Sequence, residues 1–193
     1  MEIRPATLDE SLQLAELAQI AGDNIPGFFW KDSQKPGQTL NQAGAELLSS
    51  ENANFSYRNM QTVWVDNRLA AMMLSYRLPA AEDNDENPDD FPEFVRPMVI
   101  LEQCVPESFY INMLAAFPEF RGRGAGTALL EASTQLAINA GCNQVTLEVF
   151  DNNDGAIKLY QRNGFEIIDQ QPMIASEFHP AGSVLLMSRP AAV

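Results

Sequence analysis

Hydrophobic side chains recur along this chain with two periods, and each period predicts one kind of element. Spacings of three and four residues predict amphipathic helices, whereas alternation of apolar β-formers predicts strands with one buried face. Thr7 and Glu10 form a capping box before the first helix, which ends near Gly22. The predicted helices are 8–21, 38–49, a short one within 94–103 after Pro97, 125–140 and 153–162, and the predicted strands are 2–6, 60–66, 69–77, 108–116, 144–150, 165–174 and 183–189.

The order of these elements predicts an α/β protein with a single mixed central sheet flanked by helices. The 193 residues match the length of one ordinary domain, so we expect one domain over 1–193. Two segments lie outside the regular pattern. Residues 22–37 carry Phe28, Phe29 and Trp30 and predict a structured loop or short helical turn. Residues 80–93, with six acids from Glu82 to Asp90, predict a solvated, mobile excursion, with an electrostatic funnel for a cation as the alternative.

Charge and composition exclude several classes of protein. Twelve Lys and Arg against 26 Asp and Glu give a net charge of −14, which repels nucleic acid and anionic membranes and attracts cationic or amine-bearing substrates. The same acidity also serves solubility alone. One histidine and two cysteines argue against a metal centre, a Ser-His-Asp triad or a disulfide framework. Without an apolar signal segment or a membrane-length apolar run, a cytoplasmic location is expected.

The strongest local signal is a glycine-rich turn between a predicted strand and a predicted helix. Alternating glycines at a helix start allow close approach of a ligand, and the free amides of the first helical turn favour an anion, most naturally phosphate. The P-loop pattern fails because it needs a lysine, and the dinucleotide pattern fails because Thr127 stands where its third glycine belongs. The pattern that fits is R-x-x-G-x-G, carried by Arg121, Gly124 and Gly126.

This turn and a second motif resemble the GCN5-related N-acetyltransferases (GNAT). The strand before the turn matches L-x-V-x-P at Leu114 and Pro118, with Ala116 in place of valine. About 30 residues on, the family pattern L-x-V-x₃-N-x₂-A-x₂-L-Y-x₃-G-F is matched by Leu147, Val149, Asn153, Ala156, Leu159, Tyr160, Gly164 and Phe165. The resemblance implies a mostly antiparallel GNAT-like acyl-CoA N-acyltransferase fold with splayed central strands, a CoA-binding core over about 108–166 and an insertion over about 80–93. The start of the chain is similar to a bacterial subgroup of unknown substrate.

The resemblance also implies which residues bind acetyl-CoA, the expected co-substrate. The turn binds its pyrophosphate, the strand amides meet the oxyanion, and Asn153 caps a helix and contacts the pantetheine arm. These residues are Leu114, Ala115, Ala116, Arg121, Gly122, Arg123, Gly124, Ala125, Gly126, Thr127 and Asn153. No metal is expected.

The sequence identifies the catalytic and acceptor-site residues less directly than the residues that bind acetyl-CoA. Tyr160 stands at the family's tyrosine position and is the expected general acid for the departing thiolate, with a core aromatic as the alternative. Glu148 and Glu102 are rival bases, and an exposed structural carboxylate or a water chain remains open for both. Tyr110 and Asn112 alternate on one strand face and are expected to line the acceptor site. Trp30 is expected there too, although core packing explains it equally well.

Together these features predict an N-acetyltransferase that moves an acetyl group from acetyl-CoA to an amine by direct attack in a ternary complex. The acceptor is a small molecule or a peptide, and a homodimer is left open as the assembly. The alternative is a non-catalytic acyl-CoA-binding module that senses or regulates, which would share the glycine-rich turn but would not need Tyr160.

Overall fold

The computed structural model describes residues 1–191 and forms one seven-stranded mixed sheet flanked by helices. The strand order is β1-β2-β3-β4-β5-β7-β6, with β4 and β5 parallel and the β1-β2, β2-β3, β5-β7 and β6-β7 pairs antiparallel. The predicted fold class is therefore confirmed. The strands are β1 Glu2–Pro5, β2 Met60–Val65, β3 Arg68–Arg77, β4 Phe109–Ala116, β5 Gln144–Phe150, β6 Glu166–Met173 and β7 Gly182–Pro190.

Six α-helices accompany the sheet, and each predicted helix is present with ends shifted by a few residues. They are α1 Ser11–Ala21, α2 Ile25–Trp30, α3 Leu40–Leu48, α4 Arg96–Gln103, α5 Ala125–Asn139 and α6 Asp154–Arg162. The largest shift is at the first helix, where residues 8–10 form a 3-10 turn before α1. The capping box is present there, with the Thr7 amide donating to Glu10 at 3.0 Å. No helix in residues 1–191 combines the length and apolarity that crossing a bilayer requires.

Contacts between Cα atoms divide the chain into two compact units. The first holds residues 1–75 and 112–129, and the second holds residues 76–111 and the chain from Leu130 onward. The prediction of one domain over 1–193 stays a prediction.

The first unit is built from the β1–β3 sheet and the helices α1–α3. The β2–β3 hairpin turns at Asp66 and Asn67, whose φ values of 50° and 59° suit the right-handed twist of the strands. The α1 helix packs on α3, and α2 packs on both. Trp30 at the end of α2 is buried, and its ring lies so close to Gly44 of α3 that a Cβ there would meet it at 2.4 Å. Glycine at this position therefore lets the two helices approach.

The second unit is organised around the start of β4 and the strand β5. They pair in parallel, Phe109 with Val145 through Ile111 with Leu147, and a buried hydrogen bond joins Ser108 Oγ and Thr146 Oγ1 at 2.7 Å. The splay of β4 from β5 beyond these residues stays a prediction. The α4 helix packs against β6 and β7 over an apolar cluster. The cluster consists of Leu78, Leu101, Val105, Tyr110, Met173, Val184 and Leu186.

The acidic segment 80–93 is attached to α4. It contains two 3-10 turns, 81–83 and 88–90, and its acidic side chains are exposed as predicted. Its backbone carbonyls, however, accept hydrogen bonds from α4 side chains. Arg96 Nε donates to Phe91 O at 3.0 Å, and Gln103 Nε2 donates to Glu86 O at 2.7 Å. The segment thus carries more contacts than its composition predicts.

Candidate functional site

The glycine-rich turn lies in the first unit, between β4 and α5. Gly122 and Gly124 take φ values of +70° and +86°, a region that disfavours other residues. A Cβ added at either glycine would meet no atom within 4 Å, so open space lies in front of both. Gly124 O accepts from Ala128 N at 3.0 Å, which starts the helix and leaves the first-turn amides of Ala125, Gly126 and Thr127 without partners within it.

The charges around this turn suit an anion. Residues 121–124 are all exposed. Arg121 Nε donates to Ala116 O at 3.3 Å, which folds this side chain back along its own strand. The Arg123 guanidinium lies 5.6 Å from the Phe120 ring centroid. Helix amides, left-handed glycines and two arginines with no carboxylate partner among the described ion pairs fit a pyrophosphate, the group that the sequence predicts here.

The second unit contains a buried pair of carboxylates, Glu148 on β5 and Glu102 on α4. Both Glu148 oxygens are inaccessible to solvent and accept no hydrogen bond from the described residues. Burial and the neighbouring Glu102 raise the pKa of Glu148 well above its ordinary value. The alternative that Glu148 is an exposed structural carboxylate is wrong, because β5 is covered on the Glu148 face as well as on the Leu147 face.

Glu102 has one hydrogen-bond partner and no cation. Tyr110 donates a hydrogen bond to it, yet burial and the charge of Glu86 raise the pKa of Glu102 to about 7. Burial and the two carboxylates raise the pKa of Tyr110 well above its usual value, so the phenol stays protonated. The Tyr76 ring lies edge-on to Tyr110, with centroids 6.0 Å apart. Two carboxylates and two tyrosines therefore meet in one cluster within the second unit, which we call the Glu102–Glu148 cluster.

Two more predicted residues lie on α6. Asn153 is its N-cap, and its Oδ1 accepts from Ala156 N at 3.1 Å. Tyr160 is 7% exposed and its ring lies 6.0 Å from that of Phe165. Burial raises the pKa of Tyr160 to about 12. The phenol is hence a protonated hydrogen-bond donor across the working pH range and a weaker acid than a free tyrosine.

Comparison with models of known protein families identifies the family of this chain. The model of the "Acetyltransferase (GNAT) family" matches residues 28–165, which is most of the chain. The chain belongs to the GNAT acetyltransferase family. Its conserved fold matches that of solved GNAT structures, so the resemblance predicted from the two sequence motifs is confirmed.

Individual GNAT relatives match over shorter stretches. N-alpha-acetyltransferase 30 of Schizosaccharomyces pombe is 41% identical over 56 residues, 29% of this chain and 37% of that protein. Thialysine N-epsilon-acetyltransferase of mouse is 36% identical over 52 residues, 27% of this chain and 31% of that protein. The matched stretch thus spans about a third of these relatives, which are eukaryotic, and the bacterial subgroup stays a prediction. A solved Drosophila melanogaster polyamine N-acetyltransferase is 17% identical with TM-score 0.68, covering 98% of this chain and 99% of that one, which shows the fold alone.

The predicted acceptor-site residues lie in different environments in the structure. Tyr110 belongs to the Glu102–Glu148 cluster. Asn112 is half-buried further along β4, as are Leu114 and Ala116, while Ala115 is buried. Trp30 is packed in the core of the first unit, and its role at an acceptor site stays a prediction. Among residues 1–191, no three His, Cys, Asp or Glu side chains are grouped to hold a metal ion.

Three residues near the Glu102–Glu148 cluster are not among the predicted site residues. Tyr76 lies next to the last residue of β3, Glu86 lies in the acidic segment, and Cys104 follows α4, close enough to Glu148 to raise the pKa of Glu148. One sequence signal for Tyr76 is its place directly after the continuous run of buried residues in β3. Nothing in the sequence indicates that Glu86 approaches Glu102, because that contact depends on how the acidic segment folds back on α4.

Proposed function

We propose that this GNAT protein transfers an acetyl group from acetyl-CoA to an amine acceptor. The observation that carries the proposal is the buried, cation-free Glu102–Glu148 pair. An alkylammonium has a pKa of about 10 and must lose a proton before its nitrogen can attack. A carboxylate whose pKa lies near 7 is suited to accept that proton at neutral pH. A module that only binds acyl-CoA has no use for such a pair.

The charge of Glu102 acts on Glu148 and, together with burial, raises the pKa of Glu148. Glu102, whose pKa is about 7, is the carboxylate that accepts the proton, and its ionised form keeps the Tyr110 hydrogen bond. The ionised carboxylate takes a proton from the bound ammonium and becomes a carboxylic acid. The neutral nitrogen then forms a bond to the thioester carbonyl carbon and loses a further proton, and the carbon–sulfur bond breaks. The sulfur leaves with the electron pair and takes up that proton, while the first proton passes from the carboxylic acid to solvent.

Residues of the first unit hold the co-substrate in this proposal. The amides of Ala125, Gly126 and Thr127, with Arg121 and Arg123, bind the pyrophosphate at the start of α5. Acetyl-CoA supplies the activated acyl group, and the chain supplies binding, orientation and the base.

Tyr160 donates a hydrogen bond to the departing sulfur in this proposal. An alkyl thiol has a pKa near 8.5, so a phenol with a pKa of about 12 does not hand its proton over completely. It stabilises the developing thiolate by a charge-assisted hydrogen bond. The proton that the sulfur finally carries is the one released from the acceptor, relayed through solvent.

Acetyl transfer to a panel of amines tests the proposal, with thiol release measured in parallel with mass spectrometry of the product. We expect kcat/KM to rise with pH and to level off above about 7, where Glu102 is ionised. Glu148→Gln and Glu102→Gln should each lower kcat by at least roughly 10²-fold, the usual contribution of a positioned base. The exposed Glu166→Gln removes the same charge elsewhere and should leave kcat unchanged.

Two outcomes contradict the proposal. Full activity in both glutamine variants would remove the pair from the reaction. Calorimetric binding of acetyl-CoA without transfer to any amine in the panel would favour the non-catalytic acyl-CoA-binding module.

A further inference from the structure

The Glu102–Glu148 cluster has negative charge that no cation of the protein compensates. Six ion pairs join the described residues, and neither glutamate takes part in any of them. The ionisable groups that act on Glu148 are Glu102 and Cys104, both of which repel its charge. Both Glu148 oxygens are buried and accept no hydrogen bond from residues 1–191. Buried carboxylates normally have partners, so this pair is complete only when a cation from outside binds.

More negative charge lies next to the cluster, in the acidic segment 80–93. The charge of Glu86 acts on Glu102, and Glu86 O is held at 2.7 Å by Gln103, the residue next to Glu102. The acidic side chains of the segment that contains Glu86 are all exposed. Of the six acids from Glu82 to Asp90, Asp89 alone has an ion pair among the described residues, with Arg96 at 3.6 Å. These acids are Glu82, Asp83, Asp85, Glu86, Asp89 and Asp90.

We infer that the acceptor is a linear aliphatic amine with a second cationic group, whose reacting ammonium binds at Glu102 and Glu148 and whose distal cation lies at the acidic segment. The inference rests on the proposed function, which it deepens by naming the substrate class. An ammonium has three donors, and the two free Glu148 oxygens and Glu102 offer matching acceptors. A single cation bound at Glu102 and Glu148 leaves the exposed acids of the acidic segment without a cation. A second cationic group on the same molecule pairs with those acids.

The residues around the pair suit the carbon chain of such a molecule. Tyr110 lies in the apolar cluster with Leu101 and Leu186, and the half-buried Tyr76 lies edge-on to it. Aromatic faces attract alkylammonium groups, and aliphatic side chains cover methylene groups. A peptide N-terminus or a lysine in a protein carries polar amides beside its amine and no fixed second cation, so it fits this arrangement less well.

A matched pair of probes tests the inference. Cadaverine and n-pentylamine have the same carbon chain and reacting amine, and they differ in the second ammonium. We expect kcat/KM to be roughly tenfold higher for cadaverine at low salt, since several exposed carboxylates attract the distal charge. The preference should shrink as sodium chloride screens the exposed acids.

A triple variant locates the second cation. Glu82→Gln, Asp83→Asn and Asp85→Asn together should remove most of the preference for cadaverine and leave kcat for n-pentylamine unchanged. The control removes three exposed acids on and after β6, through Glu166→Gln, Asp169→Asn and Glu177→Gln, and should keep the preference. Equal kcat/KM for the two amines overturns the inference, as does equal loss of preference in both triple variants or a higher kcat/KM for a peptide N-terminus.

Binding separates this inference from the proposed function. Calorimetric titration of cadaverine and n-pentylamine without acetyl-CoA measures the dication preference directly. Tighter binding of cadaverine with no acetyl product means that the dication site exists and that the transferase proposal fails. Equal binding of the two amines, alongside measurable transfer to either, means that the transferase proposal holds and that the dication site does not exist.

Discussion

Replacing Glu102 by glutamine should stabilise the protein at high pH and have little effect at low pH. The sign follows from linkage. Burial and Glu86 raise the pKa of Glu102 to about 7 in the folded chain, from an ordinary value of 4.5. Between these two values the unfolded chain has already lost its proton while the folded chain still holds it. The free energy of unfolding therefore falls as pH rises through this interval, and the loss is complete above pH 7.

The size of the effect follows from the same two values. A difference of one pKa unit corresponds to about 1.36 kcal/mol, so the full loss is roughly 3 kcal/mol, and somewhat less because Glu102 is partly accessible. Glutamine keeps an acceptor for the Tyr110 hydroxyl and carries no charge at any pH. The variant should thus gain roughly 2–3 kcal/mol over wild type between pH 4.5 and pH 8, which is about 4–12 °C in Tm for a chain of this length.

Urea unfolding followed by circular dichroism at several pH values between 4.5 and 8 measures this difference. The offset at low pH reports the exchange of one side chain for another, and the rise of the difference with pH reports the buried charge. The exposed Glu166→Gln variant corrects for general repulsion in a chain of net charge −14 and should show a much smaller rise. A difference that is flat in pH, or an equal rise in the control, would refute the reasoning that Glu102 is destabilised by burial.

Three further predictions concern the turn, the tyrosine and the acidic segment. Gly124→Val should weaken acetyl-CoA binding at least tenfold by calorimetry, because its side chain enters the open space before the turn. Its left-handed φ also strains the fold, so a circular dichroism spectrum must first match wild type. Tyr160→Phe should lower kcat by roughly 10- to 10²-fold, the contribution of one hydrogen bond to a charged group, with unchanged acetyl-CoA affinity; near-normal kcat would make Tyr160 a core aromatic only. Replacing 82–90 by a Gly/Ser bridge should lower Tm by a few degrees, since Gln103 loses its contact with Glu86 O and Arg96 loses its contact with Asp89 O, and an unchanged Tm would show these bonds to be dispensable.

The sequence predicts well what depends on neighbours along the chain. The β5 strand, the α6 helix with its Asn153 cap and the Asp66–Asn67 hairpin turn all follow from spacing and local residue type. The environment of Glu148 does not. Strand alternation places Glu148 opposite Leu147 and Val149, and this predicts solvent only if one face of the sheet is open. Packing around Tyr110 and α4 covers both faces, a tertiary effect that local patterns do not contain.

The sequence does not predict the partners of Glu102, for a related reason. Its neighbours Leu101 and Gln103 mark α4 as amphipathic, and this places Glu102 near the boundary between the buried and exposed faces. Whether such a carboxylate is solvated depends on the segment that lies over it. That segment is the acidic one, whose composition predicts no packing at all. The hydrogen bond from Gln103 to Glu86 O holds this segment on α4, where the charge of Glu86 acts on the half-buried Glu102.

A comparison within the chain shows why the Glu102–Glu148 pair points to a ligand. Glu10 is also buried, at 5% exposure, but Arg4 pairs with one of its oxygens and the Thr7 amide donates to the other. That carboxylate is structural, and each of its two oxygens has a partner within the chain. Glu148 is buried to a similar degree at its oxygens, has neither a cation nor a donor, and faces a second carboxylate. Folding alone favours an apolar side chain over a buried charge without a partner. An arrangement that lowers stability at neutral pH is explained when the missing cation is one that binds, reacts and leaves, as the ammonium of an acceptor does.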